Sequence, residues 1–215
     1  MKKDNYLNKI AESKKPFIIY KSNKGFDLFT DFSKKIILSN RNIENFINNS
    51  TKKKLKNKET DLYIGFFGYE ILNNLIDVKI KKQKGLKFPK GIFYKPETKK
   101  KLSNKLNYKP TDNSKSKGIF NINLNKVSYK NIFNKFKKKI KLGETYQIKI
   151  CTKYRKNSQI DALDFFCRLT KSNMAPEAFM INDKDYSIIS CSPENLITKT
   201  KNIISTKPIA GTLKK

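Results

Sequence analysis

Four short segments rich in β-branched residues crowd the stretch before Pro208: "EAFMIN", "DYSIIS", "NLITKT" and "NIISTK". Turn residues separate them at 182–184, around Pro193 and at 201–202. Joints this short can only reverse the chain, because a parallel neighbour needs a crossover of a dozen or more residues. The pattern predicts an antiparallel meander. Just upstream, "NKVSYKNIFNKFKKKIKLGE" places Tyr129, Ile132, Phe133, Phe136 and Ile140 at helical spacing, with Ser128 at the start and Gly143 set to stop the helix. "TYQIKICTKYR" then alternates as a strand does, Tyr146, Ile148, Ile150, Thr152 and Tyr154 on one face, Gln147, Lys149 and Cys151 on the other. "QIDALDFFCRLTKS" reads as a second amphipathic helix, broken by Pro176. Helix, strand, helix and meander in that order define an α+β class, antiparallel sheets with helices packed outside, and not a doubly wound fold.

The first half has the same grain. "PFIIYKS" and "GFDLFTDF" read as strands joined by a turn at 23–25, and "RNIENFINNS" as a helix carrying Ile43, Phe46 and Ile47, capped by Asn40 or Asn42. "DLYIGFFGYEILNNLI" starts as a strand and after Gly68 turns helical through Ile71, Leu72, Leu75 and Ile76. Between about 97 and 117 the chain becomes polar around Pro110, a composition that fits a linker and an exposed loop equally. The expected organisation is an N-terminal extension over 1–15, a first region over 16–96, this polar stretch, and a second region over 118–215.

Charge comes next, because 48 Lys+Arg against 18 Asp+Glu leave a formal +30 on 215 residues. A cationic surface of that density attracts polyanions. Yet only Arg41, Arg155 and Arg168 are arginines, and Lys, Ile and Asn all come from A/T-rich codons, so base composition accounts for the excess. Base readout leans on Arg forks, and single-strand binding on aromatics set among basic residues. "TKKKLKNK" and "PETKKKLSNK" contain no aromatic and read as solvated helix or loop surface. Nonspecific, salt-sensitive contact with nucleic acid is the expectation, and a dedicated nucleic-acid-binding protein is the reading from another class.

There is no histidine, which removes His-based acid–base work, Ser-His-Asp triads and ordinary zinc sites from this chain. Cys151, Cys167 and Cys191 are too far apart for CxxC chemistry and odd in number, so they read as reduced, mostly buried thiols of a cytoplasmic protein. The basic start "MKKDNYLNKIAESKK" has no apolar stretch behind it, so it is no secretory signal, and no run approaches membrane-spanning length.

Four places could carry chemistry. Gly211 and Thr212, in "KPIAGT", offer unhindered backbone N–H groups and a hydroxyl that suit a carboxylate, or are simply a turn. Ser192, Pro193 and Glu194 put a carboxylate at a strand-linking turn, where it could also just cap backbone amides. "IGFFGYE" is either a glycine-rich ligand loop or a close strand–helix contact. The polar face with Gln147 and Lys149 is a site or a solvated face, and periodicity does not choose.

Taken together, "GETYQIKICTKYR", "SCSPENL" and "KPIAGT" resemble the opening half of the chorismate-binding core of component I of anthranilate synthase and aminodeoxychorismate synthase. Those enzymes carry patterns like G-[DE]-x-[YF]-Q-V, S-S-P-E-R and P-I-A-G-T-x-x-R-G, and "IGFFGYE" resembles their G-x-x-G-Y-[DE] segment. The resemblance implies a cleft between antiparallel sheets that takes chorismate with magnesium, Gly211 and Thr212 lining it as preset donors. Gln147 matches a position where isochorismate and salicylate synthases carry a water-activating lysine, and an amide cannot take that proton unless Lys149 substitutes. Ala210 matches the position where many aminodeoxychorismate synthases carry a lysine nucleophile, and alanine cannot be one. Gln147 with Ala210 therefore implies the anthranilate branch: ammonia adds, water leaves and pyruvate is eliminated, the ammonia coming from a glutamine amidotransferase partner.

Departures from the family pattern are equally specific. The tryptophan-sensing L-L-E-S and N-P-x-P-[YF]-M segments correspond here to "IIYKS" and "NMAPEAF": Ser22 survives as a candidate remnant of an inhibitor site, while Glu177 and Ala178 replace the aromatic and Met. The short N-terminal region suits aminodeoxychorismate synthase somewhat better, and Asn195 replaces the usual Arg after "SPE". The family's magnesium-binding glutamates, leaving-group histidine and carboxylate-binding arginine fall beyond P-I-A-G-T. The resemblance thus implies an N-terminal fragment without metal ligands of its own, inactive alone and prone to associate through uncovered apolar surface.

Overall fold

The computed structural model describes residues 6–52, 62–71, 89–110 and 119–209. Two compact units emerge, one built from 1–109 with 162–215 and the other from 110–161. The fold is α+β.

The larger unit is organised by an antiparallel sheet of six strands in the order β3-β4-β2-β1-β7-β8. β1 (Phe17–Ser22) and β2 (Gly25–Ile37) form the hairpin that the sequence predicts, turning at Asn23 and Lys24. Gly25 is needed there: its φ is +135°, and a Cβ would lie 2.4 Å from the carbonyl oxygen of Leu102. β2 pairs with β4 (Gly91–Leu102), which in turn pairs with β3 (Ile64–Phe67). A register shift between Phe32 and Lys34, beside Asp31 at φ 52°, bends β2 midway.

The lysine-rich run 96–102 is the second half of β4, not the helix or loop surface expected of it. Lysine has little preference for strands, but the cross-strand setting overrides that. Lys99 and Lys101 reach the buried carboxylate of Asp27 on β2, at 3.0 and 2.5 Å, and Lys100 on the opposite face lies 3.5 Å from the ring centre of Tyr6.

Period-two alternation divides the sheet's apolar residues between two clusters. Phe17 and Ile19, Phe26 and Leu28, Ala178 and Met180 form one cluster with Leu7 of α1 (Tyr6–Ser13) and Leu163 and Phe166 of the helix Ala162–Ser172. Ile18, Phe29, Ile92, Tyr94 and Ile181 form the other, with Phe32, Phe66, Phe179 and Ile188 packed against it. A third, smaller cluster joins Leu38 and Ile71 to Ile43 on α2 (Ile43–Lys52). Asn42 precedes α2, but its side chain turns back to accept the Ser39 amide at 2.8 Å. The helix expected after Gly68 is described only as a single tight turn, Tyr69–Ile71, and Leu72, Leu75 and Ile76 lie outside the described residues.

The four segments before Pro208 are strands, β7 (Glu177–Asn182), β8 (Ser187–Ser192), β9 (Asn195–Thr200) and β10 (Ile203–Lys207). They do not run on as one meander. β7 and β8 pair, and β7 also pairs with β1 through Ile18 and Ile181, Ile19 and Met180, and Tyr20 and Phe179. β9 and β10 form a separate hairpin. The continuous apolar run of β7 from Ala178 to Ile181 suits burial on both faces, whereas β9 and β10 are exposed almost throughout, so the first pair enters the core and the second leaves it.

In the smaller unit, β5 (Asn121–Ile122) pairs with β6 (Tyr154–Arg155), and between them lies α3 (Lys126–Lys141), so that the helix 162–172 is α4. The cap of α3 is Asn125, which accepts the Ser128 amide at 2.8 Å, and Ser128 itself lies inside the helix. Gly143, at φ 73°, follows it as predicted, its amide donating to Ile140 and that of Glu144 to Lys139. The strand expected over 145–155 forms only at Tyr154 and Arg155. A strand needs a ladder partner, and β5 offers two residues.

Candidate functional site

Each candidate side chain takes its setting from the element that carries it. Ser22 ends β1, and its hydroxyl donates to the Gly25 carbonyl at 3.3 Å across the hairpin. Beside it, Lys21 Nζ donates to the Ala175 carbonyl at 2.5 Å, and the Tyr20 hydroxyl donates to Glu177 Oε2 at 2.7 Å. Pairing of β1 with β7 therefore brings "IIYKS" and "NMAPEAF", remote in sequence, side by side.

The 192–194 turn joins β8 to β9. Ser192 Oγ donates to the Glu194 carbonyl at 3.3 Å, and Glu194 Oε1 accepts the Ile209 amide at 2.8 Å. Glu194 thus acts as a turn carboxylate that caps a backbone amide two strands later. Ile209 is the last described residue, and Ala210, Gly211 and Thr212 lie outside the described residues. Gln147 belongs to the smaller unit, in a segment without regular structure. Its side chain is exposed, and its carbonyl accepts from Thr145 Oγ1 at 3.2 Å. In "IGFFGYE", Gly65 lies within β3 and Gly68 just after it, Gly65 abutting the Ile92 carbonyl and Gly68 the Lys90 carbonyl, a close strand contact.

A buried polar group that the sequence did not point to lies at the β7–β8 turn. Asp183 Oδ2 accepts from Lys35 Nζ and from the Tyr94 hydroxyl, each at 2.5 Å, and its Oδ1 from the Lys184 amide at 2.8 Å. Burial pushes the Asp183 carboxyl up, but its hydrogen bonds from Lys35 and Tyr94 outweigh that and hold it below its usual range. Burial and the Asp183 hydrogen bond push the Tyr94 phenol well up. Asp27 follows the same rule: burial raises it, and the hydrogen bonds of Lys101 and Lys99 bring it below the usual range. Isolated aspartates in β-rich sequence carry no periodic signal, so only the fold reveals what they meet.

These acids are taken up by lysines, and among the described residues no three acidic or cysteine side chains gather to hold a metal ion. The described donor set does not fit magnesium. None of the three cysteines is in a disulfide: Cys151 is exposed, contrary to the expectation of burial, while Cys167 and Cys191 are half-buried and burial pushes the Cys191 thiol up. A surface cavity of about 240 Å³ beside Tyr6, Lys100, Lys101 and Leu106 includes none of the candidate residues. Among the described residues no helix is long and apolar enough to cross a membrane.

The family model of chorismate binding enzymes matches residues 5–215. The chain belongs to that family. Among curated proteins it is similar to anthranilate synthase component 1 of Buchnera aphidicola subsp. Rhopalosiphum padi, 34% identical over 119 residues, which is 54% of this chain and 23% of that protein. The aminodeoxychorismate synthase component 1 of Salmonella typhimurium is 30% identical over 91 residues (42% of this chain, 20% of that protein). Anthranilate synthase component 1 of Saccharomyces cerevisiae is 33% identical over 97 residues (45% and 19%). The chain thus spans about a fifth to a quarter of the length of these relatives.

Proposed function

We propose that the chain is part of an ammonia-using chorismate enzyme of the anthranilate synthase type. In that reaction a C–N bond forms at the ring as a hydroxyl departs as water, and loss of a ring proton with the enolpyruvyl group leaves anthranilate and pyruvate. The observation that carries the reading is the pair Gln147 and Ala210, neither of which can serve the water-using or the lysine-nucleophile branch. Gly211 and Thr212 would donate to chorismate's carboxylate or departing oxygen. A glutamine amidotransferase subunit would supply the ammonia, and a cytoplasmic setting suits three thiols outside any disulfide. Magnesium, where the complete enzyme uses it, would be held by residues other than the described ones, and no step is assigned to it.

The likeness to the Salmonella protein supports a second reading as aminodeoxychorismate synthase component I. A product assay separates the two. The chain joined to the remaining part of a family member is expected to give fluorescent anthranilate from chorismate, magnesium and ammonium, and accumulation of 4-amino-4-deoxychorismate would select the second reading. The 215-residue chain alone is expected to form neither, and magnesium-dependent anthranilate formation by it would overturn that expectation.

A further inference from the structure

Glu177 opens β7 and faces two elements at once. Its Oε2 accepts the Tyr20 hydroxyl of β1 at 2.7 Å, and its Oε1 accepts Asn195 Nδ2 at 3.0 Å. Asn195 begins β9, which belongs to a different sheet, and among the described residues the two sheets share no strand pairing. The other end of the Asn195 amide accepts Thr198 Oγ1 at 3.0 Å, which sets the orientation of the group. One residue earlier, Glu194 takes the Ile209 amide at 2.8 Å. An unbroken path therefore runs from Tyr20 through Glu177 and Asn195 to Glu194 and Ile209, with one peptide step inside it.

The Glu177–Asn195 bond joins a residue of the six-stranded sheet to one of the β9–β10 hairpin. A carboxylate that accepts from a tyrosine hydroxyl and a carboxamide fills both of its oxygens with neutral donors.

We propose that Tyr20, Glu177 and Asn195 are positioning residues: they tie the 192–194 turn to the main sheet and, through Glu194, hold Ile209, the residue that precedes the candidate binding residues Ala210, Gly211 and Thr212 in the chain. The inference rests on reading 210–212 as a chorismate-binding segment. Burial, with the Glu177 hydrogen bond and charge, pushes the Tyr20 phenol up to about 12, so the hydroxyl remains a donor across the neutral range.

The test is amide hydrogen exchange by NMR on the ¹⁵N-labelled chain, read at Ile209, with buried Ile19 of β1 reporting global opening. Glu177→Ala and Asn195→Ala are expected to speed Ile209 exchange at least about five-fold and to leave Ile19 unchanged, since the loss of one hydrogen bond shifts a local equilibrium by that order. Tyr20→Phe removes a single hydroxyl from a part-exposed ring, preserves the fold and should act in the same direction. Glu194→Ala removes the last contact directly, and adding Glu177→Ala to it should change nothing more, because both act through one path. Acceleration at Ile209 in Glu194→Ala but not in Glu177→Ala or Asn195→Ala, or equal acceleration at Ile209 and Ile19, overturns the proposal.

Titration with chorismate and magnesium, followed at the Ile209 amide, separates this link from the functional reading. Weaker binding by Glu177→Ala supports the positioning role, and equal affinity overturns it. If the unaltered chain does not respond to chorismate while Glu177→Ala still frees Ile209, the link stands and the chorismate reading of 210–212 fails.

Discussion

Asp183 shows how a single residue can hold a curved sheet. Its side chain is 4% exposed, and it collects Lys35 from the far half of β2 and Tyr94 from β4 onto the turn between β7 and β8. Asp183→Asn would leave Lys35 and Tyr94 with a weaker acceptor in a buried place, and a cost of about 1–3 kcal/mol is expected in urea unfolding. Because the Asp27 and Asp183 carboxyls lie below their usual range when folded, the stability they provide is complete above the unfolded-state value near 3.8 and drains away as pH falls through the depressed values. The stability gap between the unaltered chain and Asp183→Asn should therefore close in acid. Tyr20 has the opposite sign. Its contribution is complete below 10.0 and is lost as pH rises through about 12, so Tyr20→Phe should flatten the alkaline limb of the stability profile.

At the scale of elements, two glycines set chain reversals and differ in what surrounds them. Gly143 has φ 73° with nothing within 4 Å of an added Cβ, so Gly143→Ala meets only backbone strain, about 1 kcal/mol, read as fraying at the C-terminal end of α3. Gly25→Ala combines φ 135° with the Leu102 carbonyl at 2.4 Å, and it should cost about 3 kcal/mol or more because β1, β2 and β4 must all shift. Thermal melts of the two variants should rank in that order, and the reverse order would contradict the hairpin geometry. α3 and the β9–β10 hairpin raise a different matter. α3 has apolar residues at helical spacing yet no buried residue, and Leu196, Ile197, Ile203 and Ile204 are all more than half exposed. Each element has an apolar side suited to cover and lacks it among the described residues.

That imbalance governs the whole molecule's behaviour. Uncovered apolar side chains favour association, while a formal charge of +30 opposes it at low salt. Sedimentation at rising concentration is expected to show association that strengthens as salt screens the lysines. A monodisperse monomer that melts cooperatively in high salt would count against it. Nucleic acid should bind only at low salt, and affinity for a specific sequence that survives high salt would favour the alternative class.

Much of this architecture could be read from the residues in order. Short apolar runs bounded by turn residues marked β1, β2, β7 and β8, Gly25 and Gly143 marked their turns, and "SPE" with "KPIAGT" marked the family, since these signals are local and depend on side-chain type or backbone freedom. What depended on distant partners stayed hidden. Nothing local in "EAFMIN" says that β7 pairs with β1 and not only with β8, or that "PETKKKL" completes a strand because Asp27 waits across from it. Nor does "TYQIKICTKYR" say that its alternation goes largely unpaired. Period and turns determine which segments can be strands. Only the tertiary structure supplies the hydrogen-bonding neighbour and the buried counter-charge, because a ladder bond or an ion pair is a property of two places in the chain at once.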